Sequence, residues 1–252
     1  MDNEEALFRK RLKELADKAY NHGQYFFTGF LSMGELDIYY QMESELSYVT
    51  VTAYGGTNDC ERVMLRFGDG ELCGYDEEFP IVCIEISPVS EKFGETLTHR
   101  DYLGALMNLG IERSTFGDIV IKDKRAFLFC SEKMAPYIMD NLNKVRHTIV
   151  LCRQAEQIPE STVARVERKT VQVSAERADS VIARAYNLSR SESVELFRGR
   201  RVFVNGRLNE NNSGQLKAGD KVTVRGYGRF QYGGVSGETR KGKLSVELEI
   251  YC

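Results

Sequence analysis

The chain has 252 residues, of which 42% are hydrophobic and 28% are charged, and its formal net charge at pH 7 is −3. This composition provides enough apolar material for folded cores and argues against extensive disorder. It contains no run of about 18 apolar residues, so the sequence predicts no transmembrane helix. The acidic start Met1–Glu5 lacks the layout of a signal peptide, and we expect a cytoplasmic protein.

The small net charge conceals an uneven distribution along the chain. Residues 1–163 carry 17 lysines and arginines against 27 aspartates and glutamates, a net of −10. Residues 164–230 carry 14 against 7, a net of +7, and residues 231–252 carry three of each. A basic segment attached to an acidic body predicts a polyanion as the partner of the basic part.

The first 75 residues predict an N-terminal α/β segment. Residues 4–20 place apolar side chains at helical spacing among charges, which predicts an amphipathic helix. Ser47–Tyr54 alternates in the manner of a strand, and after a polar turn Val63–Phe67 can return as its partner.

Residues 76–155 predict the element order β-α-β-β-α-β. The predicted elements are a strand at Ile81–Ile86, a helix at His99–Leu109, strands at Asp118–Ile121 and Ala126–Cys130, a helix at Glu132–Leu142 and a strand at Thr148–Cys152. This is the order of the ferredoxin-like unit, which RNA-recognition (RRM) domains share. The aromatic signature of those domains is absent. Phe127 and Phe129 alternate on the predicted third strand, and we interpret them as core.

Residues 156–170 are polar and contain a proline, which predicts a linker before a C-terminal domain at residues 171–252. This domain begins with a predicted helix whose apolar stripe has helical spacing. The stripe consists of Ala178, Val181, Ile182 and Ala185.

A second helix is predicted to follow, because Ser189 and Glu192 have the spacing of a capping box. Arg190 falls in its first turn, where unpaired backbone N–H groups can face a phosphate. Arg201–Val204 predicts a short strand, and Asn205-Gly206 predicts a tight hairpin turn.

These motifs together resemble the S4 domain, an RNA-binding module of ribosomal proteins, pseudouridine synthases and tyrosyl-tRNA synthetases. The matching residues are Arg177-Ala178-Asp179, Leu188-Ser189-Arg190, Gly199, the run Val202–Gly206, and Gly219-Asp220. Ala178 stands where the family usually has leucine. With the elements predicted above, this resemblance predicts an α+β chain that has an N-terminal α/β segment, a ferredoxin-like (RRM-like) middle domain and a C-terminal S4 (αL-motif) domain.

Basic and polar side chains of this domain are the predicted RNA contacts, since the seven excess positive charges of residues 164–230 would repel one another without a polyanion nearby. The predicted RNA-binding residues are Arg177, Arg184, Ser189, Arg190, Arg198, Arg200, Arg201, Asn205, Arg207, Lys217, Arg225 and Arg229. Four of them are expected to face one RNA backbone: Arg177, Arg190, Arg200 and Arg201. His99 and Arg100, at the start of a middle-domain helix, form a candidate secondary RNA contact.

Motifs outside this domain and near its end narrow the resemblance to YlmH-type proteins. They are Gly55-Gly56 with Glu61-Arg62, the run His99–Ile111, Gly117-Asp118-Ile119, Arg225–Phe230 and Thr239–Lys243. That bacterial family acts on large ribosomal subunits that carry peptidyl-tRNA, in ribosome-associated quality control. The resemblance implies 23S rRNA and peptidyl-tRNA as partners, with no membrane and no small-molecule substrate.

Two enzyme classes that carry S4 domains provide the alternative, an RNA-modifying enzyme of pseudouridine synthase or methyltransferase type. A pseudouridine synthase needs a much larger catalytic domain, and Arg100-Asp101 is a poor match to its motif. Phe67–Gly70 lacks the spacing of a cofactor-binding glycine-rich turn. We therefore expect a non-catalytic RNA-binding protein without a cofactor. Six cysteines without a C-x-x-C pair and three scattered histidines predict free thiols and no metal site.

Overall fold

The computed structural model describes residues 3–57, 60–90, 95–155, 166–240 and 242–251. The chain divides into two compact units, Met1–Val163 and Ala164–Cys252, at the point where the sequence changes from acidic to basic. Within the described residues the fold is mixed α/β, as predicted, with seven α-helices and three sheets.

The first unit contains five α-helices, one short 3₁₀ helix at Arg113–Thr115 and eight strands among its described residues. The helices are α1 (Asn3–His22), α2 (Met33–Met42), α3 (Gly70–Cys73), α4 (His99–Asn108) and α5 (Ala135–Asn141). The strands are β1 (Phe26–Phe27), β2 (Val51–Tyr54), β3 (Met64–Phe67), β4 (Ile81–Pro88), β5 (Phe116–Lys122), β6 (Arg125–Ser131), β7 (Lys144–Val145) and β8 (Thr148–Gln154).

The N-terminal part pairs a small sheet of order β1-β3-β2 with helices α1 and α2. The predicted amphipathic helix is confirmed, because Leu12, Ala16 and Ala19 on one side of α1 are buried. The predicted hairpin is also present, with Val51 opposite Phe67 in an antiparallel pair, but its first strand begins at Val51, four residues later than the prediction.

A five-stranded antiparallel sheet of order β5-β6-β4-β8-β7 forms the rest of this unit. Helices α4 and α5 cover one face, and Leu106 and Ile138 lie in the core between helices and sheet. Helix α5 begins three residues later than the prediction, at Ala135, with Pro136 in its first turn, where proline needs no donor.

The opposite face of this sheet is covered by the N-terminal part of the chain. Phe127 and Phe129 of β6 are buried there with Phe30 and Met64. The interpretation of the two phenylalanines as core is confirmed. Their rings are consequently closed to solvent and do not offer a stacking platform for RNA bases.

The second unit contains two helices and six strands among its described residues. The elements are β9 (Val166–Val173), α6 (Ala178–Ala185), α7 (Arg190–Arg198), β10 (Val202–Val204), β11 (Arg207–Leu208), β12 (Lys221–Val224), β13 (Gly228–Glu238) and β14 (Leu244–Tyr251).

These strands form one antiparallel sheet of order β11-β10-β12-β13-β14-β9, with α6 and α7 packed on it through a shared core. The predicted apolar stripe of α6 is buried in this core. Asn205 and Gly206 close the β10–β11 hairpin with φ values of +52° and +79°, as the predicted tight turn requires.

The predicted linker at residues 156–170 extends too far. Residues 156–165 lie outside the described residues, but residues 166–170 belong to β9 and pair with β14. The segment looks polar because most of β9 is exposed, whereas Val171 and Val173 at its end are buried in the core.

Gly56 allows the N-terminal part to approach the sheet closely. Its φ of +107° disfavours any L side chain, and a Cβ there would lie 2.2 Å from the Phe129 ring. We expect Gly56→Ala to lower the free energy of unfolding by about 1–3 kcal/mol, because the buried ring has no free space to enter. Urea unfolding followed by circular dichroism measures this change.

Gly104→Ala provides the matched control. Gly104 lies inside α4, and a Cβ there meets nothing within 4 Å. This substitution should raise stability by about 0.5–1 kcal/mol, because alanine favours the helix over glycine. An unchanged unfolding midpoint for Gly56→Ala would contradict the close packing.

Candidate nucleic-acid interface

A buried carboxylate organises the start of the basic unit. Asp179, in the first turn of α6, is 0% exposed. Its oxygens accept hydrogen bonds from Arg177 Nε at 3.0 Å, Arg177 Nη2 at 2.8 Å and Asn212 Nδ2 at 3.2 Å. Arg190 Nε, from the first turn of α7, lies 3.6 Å from the same carboxylate. One acid therefore holds two of the predicted RNA-binding arginines.

The arginines and the carboxylate of this group stabilise one another in their charged forms. Burial alone would raise the pKa of Asp179, but the hydrogen bonds from Arg177 and Asn212 and the charge of Arg190 lower it below its ordinary value. The hydrogen bond to Asp179 raises the pKa of Arg177 in turn. The Arg190 side chain remains 69% exposed, so its guanidinium group is accessible to a ligand although its Nε lies near Asp179.

Arg200 is connected to the same region through a short loop. Its Nε lies 3.8 Å from Glu210 Oε1. Asn212, two residues further along the chain than Glu210, donates a hydrogen bond to the Asp179 carboxylate. Two residues span at most about 7 Å of backbone. The structure thus brings Arg177, Arg190 and Arg200 to one loop.

A second group forms around the turn between β12 and β13. Arg201 Nε donates to the Arg225 carbonyl oxygen at 3.1 Å, and the Arg201 guanidinium carbon lies 5.7 Å from the centroid of the Tyr227 ring. Tyr227 also contacts Tyr186, at the end of α6, with ring centroids 5.6 Å apart. The Arg201 guanidinium is thus hydrogen-bonded within its own chain, and the expectation that all four arginines face one RNA backbone stays a prediction.

Tyr186 and Tyr227 are absent from the predicted site. The available signal was an aromatic residue between two glycines and two arginines in Arg225–Arg229. That pattern is typical of a turn, and the sequence alone does not indicate that α6 brings a second tyrosine beside it.

Two predicted contacts have observed roles within the protein. Ser189 caps α7: its Oγ accepts from Glu192 N at 3.2 Å, and its own N–H donates to the Glu192 carboxylate at 2.8 Å. The Asn205 amide closes its turn by donating to Asp220 at 2.9 Å and accepting from Lys221 N at 2.9 Å. Because both the NH2 group and the oxygen of this amide form hydrogen bonds within the turn, the observed role of Asn205 is to stabilise the turn.

The remaining predicted cations lie at separate places on the unit. Arg198 pairs with Glu195 one turn away on α7, and Arg229 lies over the Tyr251 ring at 4.3 Å. Arg184, Arg207 and Lys217 are exposed. In the part of the chain that the structure describes, no contact joins Arg184 or Lys217 to either arginine group. RNA contact by all of these residues stays a prediction.

The candidate secondary contact lies at the start of α4. His99 and Arg100 are exposed, and partial desolvation, followed by the nearby charge of Arg113, lowers the pKa of His99. Asp101 accepts from Thr98 N at 2.8 Å and from Thr98 Oγ1 at 2.7 Å, which engages its carboxylate at the helix N-terminus.

Two of the YlmH-type motifs meet in the first unit, in a partly buried contact. The Asp118 carboxylate accepts from the backbone N–H groups of Glu61 at 2.6 Å and Arg62 at 3.2 Å. Arg62 Nη2 donates to the carbonyl oxygens of Phe30 at 2.7 Å and Arg113 at 3.1 Å. Burial lowers the pKa of Arg62. These residues join the N-terminal part to the five-stranded sheet, which is a structural role.

Neither a metal site nor a membrane span is found in the described ranges. No group of three or more histidine, cysteine, aspartate or glutamate side chains there could hold a metal ion. No helix in that part of the chain is both long and apolar enough to cross a membrane. The five cysteines that can be described are free thiols.

Comparison with known proteins places the chain in an RNA-binding class. The family described as "Putative RNA-binding domain in YlmH" matches residues 75–158. Ribosome-associated protein quality control protein P2 of Bacillus subtilis (strain 168) is 32% identical over 199 residues, which cover 77% of this chain and 76% of the relative. The chain belongs to the YlmH family.

A solved structure of cell division protein ylmH from Streptococcus pneumoniae is 25% identical, with a TM-score of 0.48, and covers 62% of this chain and 93% of its own. The residues of the family match lie in the first unit, outside the basic segment that the charge distribution favours. RNA contact by the middle of the chain therefore has support that composition did not provide.

Replacing Asp179 by a neutral residue should lower the folding stability of the basic unit. The pKa of this carboxyl is lower in the folded state than in the unfolded state, so its contribution is present above the unfolded value of about 4 and is lost as the pH falls through the folded value. We expect Asp179→Asn to lower the free energy of unfolding at pH 7 by about 1–3 kcal/mol. The difference in the free energy of unfolding between Asp179→Asn and wild type should become smaller at acidic pH.

Circular dichroism during urea unfolding is a suitable readout, since the chain has no tryptophan. Glu195→Gln, which removes an exposed partner of Arg198, should change stability by no more than about 0.5 kcal/mol. A gap between Asp179→Asn and wild type that is equally large at pH 7 and at pH 3 would contradict the charge-based explanation.

Proposed function

We propose that this protein is a non-catalytic RNA-binding protein that holds structured RNA on the large ribosomal subunit during quality control of stalled peptidyl-tRNA. The observation that carries the proposal is the grouping of Arg177, Arg190 and Arg200 around a buried acid and one loop, in a segment of net charge +7. Its partners would be 23S rRNA and peptidyl-tRNA, in the cytoplasm. The identity to a ribosome-associated quality control protein supports this role.

The proposed domain organisation follows the sheets. In the second unit, two short helices packed on an antiparallel sheet support an S4 domain. In the first unit, strands β4, β5, β6 and β8 with helices α4 and α5 have the order β-α-β-β-α-β, and their sheet order β5-β6-β4-β8 supports an RRM-like domain at residues 76–155. Residues 1–75 would then be a segment that covers one face of this sheet.

The two parts are proposed to divide the work of binding. Phosphate contacts give affinity and fix orientation, and clustered arginines with exposed guanidinium groups suit them. The match of residues 75–158 to an RNA-binding family supports a second contact from the middle domain. Since the sheet face with Phe127 and Phe129 is covered, that contact would come from another surface, such as the exposed His99 and Arg100.

The non-catalytic part of the proposal rests on Asp101, the nearest match to a pseudouridine synthase aspartate. Its carboxylate is bonded to Thr98 and lies 3.7 Å from Arg146, and these contacts lower its pKa and engage it in local structure. We expect rRNA from a deletion strain complemented with Asp101→Asn to carry the same modified nucleotides as rRNA complemented with wild type. Mass spectrometry of rRNA measures this. A nucleotide modified only with the wild-type gene would establish an enzyme.

Removing one exposed arginine should weaken RNA binding by the contribution of one phosphate contact. For the full chain and purified large ribosomal subunits, we expect Arg190→Ala and Arg200→Ala each to cost about 1–3 kcal/mol of binding free energy. The slope of log affinity against log salt should flatten by about one unit for each phosphate that the variant no longer neutralises. Lysine at either position should restore part of the affinity, because it keeps the charge and lacks the fork geometry.

Arg168→Ala is the matched control for this measurement. Arg168 is an exposed arginine of β9 in the same unit, paired with Glu249 and absent from both arginine groups. It should bind as wild type does, and melting temperatures confirm that every variant is folded. If folded Arg190→Ala and Arg200→Ala variants sediment with large subunits like wild type at moderate salt, the basic unit is not the anchor, and residues 75–158 become the candidate.

A further inference from the structure

The turn between β12 and β13 presents an aromatic ring to solvent. Tyr227 is 43% exposed, although its backbone is fixed by a hydrogen bond from its N–H to the Val224 carbonyl oxygen at 2.9 Å. Glycines on both sides have positive φ values, +87° at Gly226 and +123° at Gly228. Residues other than glycine rarely adopt these backbone conformations, so the turn depends on both glycines.

Arg201 holds this turn from the side. Arg201 and Arg225 exchange hydrogen bonds: the Arg225 N–H donates to the Arg201 carbonyl at 2.9 Å, and Arg201 Nε donates to the Arg225 carbonyl at 3.1 Å. A Cβ at Gly226 would lie 2.5 Å from Arg201 Nη2, so glycine lets the guanidinium cross the turn. The cation consequently stays beside the Tyr227 ring.

A series of rings connects Tyr227 to the core. Its centroid lies 5.6 Å from that of Tyr186, which in turn lies 6.0 Å from that of the fully buried Phe230. An aromatic side chain supported in this way loses little conformational entropy when it contacts a ligand.

We propose that Tyr227 stacks on an unpaired nucleobase, so that the RNA bound by the second unit contains a loop, a bulge or another unstacked position. This inference rests on the proposed function, because it assumes that the basic unit binds RNA. An A-form duplex offers phosphates and 2′-hydroxyl groups but hides its base faces, so it gives an exposed ring nothing to stack on. Aromatic rings beside arginines are the usual receptors of unstacked bases.

The test compares two RNA probes with the full chain. One is a hairpin with a single-stranded loop, and the other is a blunt duplex with the sequence of its stem. We expect Tyr227→Ala to weaken hairpin binding roughly 5- to 100-fold, with the salt slope unchanged, because stacking releases no counterions. Duplex binding should stay within about twofold, and Tyr227→Phe should bind both RNAs like wild type, because the ring is retained.

Tyr48→Ala is the control, since Tyr48 is exposed to a similar degree, 40%, in the acidic unit and lies outside the residues that match the RNA-binding family. A direct signal comes from hairpins that carry 2-aminopurine at one loop position, whose fluorescence is quenched by stacking. One position should be quenched by wild type and by Tyr227→Phe but not by Tyr227→Ala.

Three results would overturn the proposal. Equal hairpin affinity for Tyr227→Ala and wild type would exclude a contribution from the ring. Equal losses on hairpin and duplex, with a flatter salt slope, would mean that Tyr227 acts only by positioning Arg201. If wild type binds neither RNA, the proposed function itself fails, and the ring would belong to an interface with a protein.

Discussion

A carboxylate buried beneath a basic surface is the constraint on which the second unit depends. Desolvation of Asp179 is unfavourable, and only the cations and amide around it make its charged form tolerable. Its backbone adds further connections: Asp179 N donates to the Asn212 carbonyl, and Ser193 Oγ donates to the Asp179 carbonyl at 2.8 Å. Two helices and a loop are thereby joined at one residue, and the repulsion between neighbouring arginines is reduced without covering them.

Under the proposed function, the two groups of the second unit would have different roles. The arginines near Asp179 would contact phosphates, and the Tyr227 ring would contact a base. The first unit differs from the second, because the aromatic face of its sheet is buried in its own core. A sheet covered in this way could contact RNA only through helices, loops or strand ends.

Much of this architecture could be predicted from local pattern. The stripe of α6, the Ser189–Glu192 cap and the Asn205-Gly206 turn each depend on residues a few positions apart, and each is present. Contacts between distant residues could not be predicted. The guanidinium of Arg201 turns to a carbonyl 24 positions away, and β9 looks like a linker until its partner β14 is known. Side-chain periodicity contains no information about such partners.

The position of β14 has a consequence for how the second unit is made. This strand lies between β13 and β9, so β9 has no neighbour in the sheet until residues 244–251 have been synthesised. Contacts across more than seventy residues form slowly, because a long loop must close first. The helices with the arginines therefore emerge before the sheet beneath them is complete. During translation, the segments that carry the arginines are synthesised before Val246 and Leu248, which complete the core on which α6 and α7 pack.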